Sequence, residues 1–480
     1  MINGKSSLIP AIENSSALTH NGCATNFTSD SAIVDLFFNI AAMRHSSEED
    51  IIAAFDKAAN EDIESAYKIL FWSRDIRGGQ GERRIFRTIV KHFAELDSNA
   101  IRMNMKYIPE YGRWDDMLVF FGTPLEADAL EYIKIALQSD EPGLCAKWMP
   151  REKSSKSYIA KKIRNYMRLN SKQYRKLLSG ATNVVENKMC AKNWDGINYS
   201  HVPSVAMNNY KKAFSRNSPG KWFEYLNALE NGTAKINSSV LYPHQIVANL
   251  DNYGADIDDA RIAEQQWKAL PNFLLNNPYK MLPVVDVSGS MCTEQNPSPI
   301  DVAVSLGIYI SERNEGPFKN SFITFSEKPS LQGLIGNDIC EKAVNLKRAD
   351  WGMNTDIHAV FDLILNAALR NSIQKEDMPD MILILSDMEF DQASSYNMTA
   401  MESIREKYHK SGYKLPNIIF WNLAARDGNC PVKKHESGAA LVSGFSPSIL
   451  MHILSSGEIT PSAIVSEVIS SERYFNISVF

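Results

Sequence analysis

At 480 residues, 44% apolar and 22% charged, the chain is long enough for two or three domains and has the make-up of a globular protein, not of a fibrous or disordered one. Its net charge of -5 selects no partner until the distribution is examined. No run approaches the roughly 18 uncharged apolar residues of a membrane helix; Lys5 is not followed by the apolar stretch of a signal peptide, and the six scattered cysteines (Cys23, Cys145, Cys190, Cys292, Cys340, Cys430) suit free thiols in a reducing, cytoplasmic setting.

Residues 1–28 are rich in Ser, Asn, Thr and Gly and read as an extended or poorly ordered arm. From Ser31 the character changes. Ser46 or Ser47, followed by Glu49 and Asp50, is a helix start, and Ile51, Ile52, Phe55 and Ala59 follow at helical spacing. Ile63, Ala66, Tyr67 and Leu70 mark a second helix; Ile85, Phe86, Ile89, Val90 and Phe93 mark a third. Short helical patterns continue to about residue 230, broken at Gly78-Gly79, Pro109, Gly112, Gly122-Thr123-Pro124, Pro142-Gly143 and Gly180. No alternating strand of any length occurs between 30 and 230. Residues 29–277 therefore read as an all-α, HEAT-like body of stacked helical hairpins.

After Pro271 the pattern switches. Apolar runs at 281–285, 321–325, 381–385, 417–421 and, more weakly, 439–442 alternate with helical patterns at 300–311, 357–369, 400–409 and 448–454. Strands alternating with helices predict a mostly parallel, doubly wound α/β domain over 278–480, with ligands at the carboxyl ends of its strands.

Asp286-Val287-Ser288-Gly289-Ser290 follows directly on the first buried strand. The spacing of two lets alternate side chains of a tight loop face one point, and a carboxylate with hydroxyls is a hard-oxygen set that suits Mg²⁺ or Mn²⁺ and not zinc. Thr355, in Gly352-Met353-Asn354-Thr355-Asp356, precedes a helix, and Asp387 closes the strongest apolar strand. Read locally, Ser288 and Ser290 could instead cap a helix and Asp387 a turn; Asp356 reads as an acid of the first helical turn. His358 lies three residues beyond Thr355, but sites of this type seldom recruit imidazole.

Asp-x-Ser-x-Ser, then a lone Thr, then an Asp after a buried strand resembles the metal-ion-dependent adhesion site of von Willebrand factor A domains. The resemblance implies Asp286, Ser288, Ser290, Thr355 and Asp387 as ligands. It also implies an open coordination position for an acidic group on a protein partner.

Charge is unevenly spread. Residues 145–221 carry 17 Lys and Arg against 3 Asp and Glu, an excess of +14, so the rest of the chain carries -19. Within it Lys161, Arg164, Arg168, Lys172 and Arg175 follow steps of three and four, forming one basic stripe if the helix is continuous, and Lys162 and Lys176 join them as RNA-binding candidates. Tyr158, Tyr166 and Tyr174 could offer rings beside it. Cations with interleaved aromatics suit single-stranded nucleic acid; an ordinary solvated helix face is the plainer alternative.

A helical body followed by an A domain resembles the Ro autoantigen proteins, which carry the TROVE module. Phe71-Trp-Ser-Arg-Asp-Ile-Arg-Gly-Gly-Gln-Gly-Glu-Arg83, Ile108-Pro-Glu-Tyr-Gly-Arg-Trp-Asp-Asp116 and Ser386-Asp-Met-Glu-Phe390 are similar to segments of a viral, phage, bacterial and plant branch of that architecture. The resemblance implies a monomeric, non-catalytic scaffold for small or misfolded RNA. The competing expectation is a metal-dependent protein-interaction module that binds no RNA. Arg74 and Arg77, beside Gly78-Gly79, are expected to pair with nearby carboxylates such as Asp115 and Asp116 and not with phosphate. His201 is expected to be packed or hydrogen-bonded. No phosphate loop, zinc-protease helix or nucleophile elbow is present.

Overall fold

The apolar runs of the carboxy-terminal part become strands close to where their composition places them. The computed structural model describes residues 17–19, 21, 24–182, 184–248, 250, 257–293, 297–325, 328–348, 355–390, 400–424 and 429–479. Most of the expected amino-terminal arm, 1–16 with 20, 22 and 23, lies outside the described residues, as do Gly352, Met353 and Asn354 of the Thr355 loop.

In chain order the strands are β1 (Ala17–Leu18), β2 (Ala24–Thr25), β3 (Met281–Asp286), β4 (Ser321–Phe325), β5 (Leu331–Gly333), β6 (Met381–Ser386), β7 (Asn417–Asn422) and β8 (Ala439–Ser443). The last six form one sheet in the order β5-β4-β3-β6-β7-β8. All its pairs are parallel except the short edge pair β4–β5. Every residue of β3, β6 and β8 is buried. Successive strand residues face opposite ways, so both faces of the sheet are covered, which is why these strands read as unbroken apolar runs. Chain order runs outward in both directions from β3 and β6, the doubly wound arrangement, and the crevice between those two strands is the topological switch point.

Contacts divide the described chain otherwise than the linear scheme 1–28, 29–277 and 278–480. One unit is Met1–Ser47, Asp56–Asp62 and Tyr242–Ser471; the other is Glu48–Phe55, Ile63–Leu241 and Glu472–Phe480. The reason is visible in the sequence of the helix Ala32–Ile40. Ile33, Val34, Leu36, Phe37, Phe38 and Ile40 are all buried, too wide an apolar surface for one face of a hairpin. This helix lies against β8, where Ser443 Oγ donates to Phe37 O at 2.9 Å. The helix Pro243–Val247 likewise packs on Pro299–Arg313, within the α/β unit.

The expected extended arm is partly a hairpin. β1 pairs antiparallel with β2, and Asn26 exchanges backbone hydrogen bonds with Cys430. The side chains of Thr19, Asn21, Thr25 and Asn26 bond to backbone far along the chain.

The helical unit has no strand among its described residues. Helices pack on sequence neighbours: Ile63–Arg74 on Arg84–Glu95, Glu126–Gln138 on Gly143–Trp148, Ser204–Asn217 on Pro219–Glu230. That nearest-neighbour pattern is the one expected of stacked hairpins. Phe71 meets Phe86 and Tyr111 edge-on, each at 5.4 Å between ring centroids. Arg74, 1% exposed, ion-pairs with the fully buried Asp116 at 2.7 Å, as the carboxylate-pairing expectation requires. Gly112 makes room for this pair, because a Cβ there would come within 2.3 Å of Asp116 Oδ2. No helix among the described residues is long and apolar enough to cross a membrane.

Candidate metal centre

β3 ends at Asp286 and β6 at Ser386, and their parallel register aligns Val285 with Leu385. Two adjacent parallel strands therefore deliver Asp286 and Ser386-Asp387 side by side at the carboxyl end of the sheet, in the switch-point crevice. Asp286, Ser288, Thr355 and Asp387 are all at most 3% exposed, and Ser290 is half-buried in the turn Gly289–Met291.

A chain of short hydrogen bonds organises these groups. Ser288 N donates to Asp286 Oδ1 at 2.9 Å, closing the turn after β3. The Ser288 and Ser290 hydroxyls lie 3.0 Å apart. Ser386 Oγ donates to Asp286 Oδ2 at 2.5 Å, linking the two strand ends. Glu389 N donates to Asp387 Oδ1 at 3.2 Å, and Thr355 Oγ1 donates to the Glu389 carbonyl at 2.5 Å. Thr355 is thereby tied to the loop that carries Asp387. Asp356, beside it, caps the helix Ile357–Arg370 by accepting from Ala359 N at 3.0 Å, which accounts for that carboxylate locally. The helix Pro299–Arg313 begins at Ser298 without a side-chain cap bond, so Ser288 and Ser290 do not cap it.

Electrostatics make this a site that suits a cation. The Asp286 carboxylate accepts from a backbone N–H and from a hydroxyl, both neutral groups. Burial first, and then the neighbouring negative charge of Asp387, hold its pKa well above the usual carboxylate range. Among the described residues no group of three or more His, Cys, Asp and Glu side chains is gathered for a metal. The donors here are two carboxylates and three hydroxyls, a composition that fits a hard, oxygen-seeking ion and does not fit zinc.

Sequence reasoning missed the frame around these groups. Asn429 Nδ2 donates to Met388 O and, at 3.4 Å, to Glu389 Oε1. Thr19 Oγ1 donates to Phe390 O, and Asn21 Nδ2 donates to Glu389 O at 2.9 Å. The amino-terminal hairpin thus grips the loop that follows β6. Ser386 stood beside Asp387 in the sequence, but nothing local indicated that its hydroxyl would hold Asp286.

The RNA-binding candidates lie in the helical unit, and their arrangement corrects the single stripe. The helix stops at Ser157–Tyr166 and a second begins at Ser171–Ala181. Arg168 sits between them in the left-handed region (φ 56°), and Asn170 starts the second helix through a reciprocal capping pair with Gln173. Lys161, Arg168, Lys172, Arg175 and Lys176 are exposed and have no ion-pair partner among the described residues. Lys162 is bound to both Glu126 oxygens at 2.7 Å, and Arg164 to Glu152 at 2.7 Å. Tyr158 and Tyr166 are exposed, but Tyr174 is buried and donates to Pro150 O at 3.1 Å, so one of the three rings belongs to the core. His201 is exposed, not packed as expected, because it ends a single helical turn that buries Tyr199 and turns the imidazole outward.

The architecture is that of a helical body joined to a doubly wound α/β domain. Residues 19–120 and 133–277 match the family described as a domain of unknown function (DUF2828), and residues 280–474 match a second domain of unknown function (DUF7788). The chain is similar to uncharacterized protein L728 of Acanthamoeba polyphaga mimivirus, at 32% identity over 506 residues covering 94% of this chain and 87% of the relative. It belongs to the DUF2828 family. Among solved structures it is similar to the Ro (RSR) protein of Deinococcus radiodurans, at 12% identity, 95% coverage of each chain and a TM-score of 0.35.

Proposed function

We propose that the protein is a non-catalytic RNA-binding scaffold of the Ro type, with one Mg²⁺ or Mn²⁺ ion held in its α/β unit. The observation that carries the RNA reading is the acid-poor, exposed cationic surface of residues 153–176. Lys153, Lys156, Lys161, Arg168, Lys172, Arg175 and Lys176 are exposed there, free of ion pairs among the described residues. Cations without carboxylate partners can meet phosphates with little to give up, and release of phosphate counterions then drives association. The exposed rings of Tyr158 and Tyr166 supply faces on which unpaired bases stack. Phosphate contacts of this kind set affinity and carry no base sequence, which suits a scaffold for small or misfolded RNA.

Asp286, Ser288, Ser290, Thr355 and Asp387 are the groups that would hold the ion. When bound, the ion would neutralise two buried carboxylates and offer an acceptor for an acidic group. Ser386 and the Ser288 amide orient the Asp286 oxygens, and Thr355 orients the loop bearing Asp387. One ion with hydroxyl donors lacks the paired-metal arrangement of many nucleases, which favours a binding role over hydrolysis.

Protein purified at low salt should carry nucleic acid, seen as a raised ratio of absorbance at 260 to 280 nm that falls after ribonuclease treatment. Absence of nucleic acid, together with partner capture that is lost in Asp286→Ala or with chelator, would select the protein-interaction reading instead.

A further inference from the structure

The chain leaves the α/β unit at Ser471, and its final segment, Glu472–Phe480, belongs to the helical unit. The way it is held differs from ordinary core packing. Asp75, at the end of the helix Ile63–Arg74, has a fully buried carboxylate. From its own stretch of chain that carboxylate accepts the Arg77 N–H at 2.9 Å. Its other hydrogen bonds come from the tail. Arg473 forks onto both oxygens, Nε to Oδ2 and Nη2 to Oδ1 (the latter at 2.6 Å), and the Tyr474 hydroxyl donates to Oδ2 at 3.0 Å.

Aromatic and backbone contacts extend the recognition. Tyr474 stacks on Tyr111 with centroids 5.7 Å apart and planes 21° from parallel. The Arg473 guanidinium lies 5.3 Å from the Tyr111 ring centroid, and the Tyr111 hydroxyl donates to Arg473 O. Gly78 leaves space for the arginine stem, since a Cβ there would stand 3.0 Å from Arg473 Cδ. Four residues after Tyr474, the buried Asn104 amide pairs with the backbone of Ser478, donating to its carbonyl at 2.5 Å and accepting its N–H at 3.2 Å. Ile477 and Val479 fill apolar space on either side.

We infer that Asp75, Gly78, Asn104 and Tyr111 form a peptide-recognition site for a segment that presents an Arg-Tyr pair on a single 3-10 turn, and that residues 472–479 of the protein itself are its resident, exchangeable ligand. A bidentate guanidinium–carboxylate fork is directional and selects arginine over lysine. The Asn104 amide reads main chain beyond that turn, at Ser478, and so tolerates the side chains there. Covalent attachment gives the tail a high effective concentration, so a peptide from another molecule gains the site only when the tail is released. This site is independent of the RNA reading.

The test uses the full chain with a protease recognition sequence inserted after the exposed residue Ser470. After cleavage of the folded protein, the tail should co-elute with the body in gel filtration. A fluorescent peptide of residues 471–480 should then replace it, seen as a saturable rise in anisotropy absent from the uncut protein. Arg473→Ala in the peptide should weaken binding at least tenfold. A peptide that fails to bind the cut protein, binds the uncut protein equally, or is indifferent to Arg473→Ala would overturn the inference. Should the insertion disturb folding, uncut Arg473→Ala protein with wild-type circular dichroism provides the second readout. Chymotrypsin should cut it after Tyr474, which is buried in the wild type, at least tenfold faster than it cuts wild type, and an unchanged rate would equally overturn the inference.

Discussion

The two units bury carboxylates in opposite ways. In the helical unit Asp116 is fully enclosed and receives Arg74 at 2.7 Å and Arg87 at 2.6 Å, and Asp75 receives Arg473. In the α/β unit Asp286 is equally enclosed, yet its hydrogen bonds come from an amide and a hydroxyl, and its nearest electrostatic influence is another acid, Asp387. Burying a carboxylate without a cation is costly. Where Arg74 and Arg87 meet Asp116, the arrangement is complete and serves the fold. Where a second carboxylate sits beside Asp286, the arrangement suits an added cation.

Breaking the helical-unit pair should have the largest effect. Asp116→Ala leaves Arg74 buried without its partner and should cost about 3–5 kcal/mol of stability, measured by urea denaturation. Replacement of the pair by well-packed apolar residues should be far milder. In the α/β unit the effect should depend on added metal instead. Mg²⁺ at 100 times its dissociation constant should raise stability by about 2.7 kcal/mol. Asp286→Asn should remove that increment, and thermal melts with and without Mg²⁺ would show it; an equal rise in the variant would separate Asp286 from metal binding.

A smaller effect concerns His244, which is buried between Tyr242 and Phe445 rings, with Nδ1 lacking a hydrogen-bond partner among the described residues. Burial, and then Arg44, lower its pKa from 6.5 to about 3. The unfolded chain therefore takes up this proton first. The contribution is fully present above pH 6.5 and is lost as the pH falls toward 3, with a slope of at most about 1.4 kcal/mol per pH unit. His244→Phe should flatten that part of the acid limb in denaturation curves recorded against pH.

Legibility in the sequence followed how local each cause is. β3, β6 and β7 were readable because strands buried on both faces are apolar throughout, and β5, a short and partly exposed edge, was not. The Asp286, Ser288 and Ser290 set was readable because one loop carries it; strand order places Thr355 and Asp387 at the same sheet edge, and the family resemblance names them as ligands. The break in the basic stripe escaped because Met167-Arg168-Leu169-Asn170 contains neither Gly nor Pro; its signal is the Asn170–Gln173 capping pair. The amino-terminal grip on Glu389 and the tail's hold on Asp75 join residues more than 360 positions apart, and no spacing rule reaches that far.

Binding of RNA phosphates by the exposed cations of the helical unit underlies the proposed function. It is tested most directly by anisotropy of a labelled single-stranded RNA titrated with wild-type protein and with Lys161→Glu/Arg168→Glu/Lys172→Glu across a range of salt concentrations. Wild type should weaken steeply as salt rises, and the triple variant should bind more weakly, with a log–log slope shallower by roughly 2, as loss of three phosphate contacts requires. Equal affinity and equal slope for the two proteins would contradict the account.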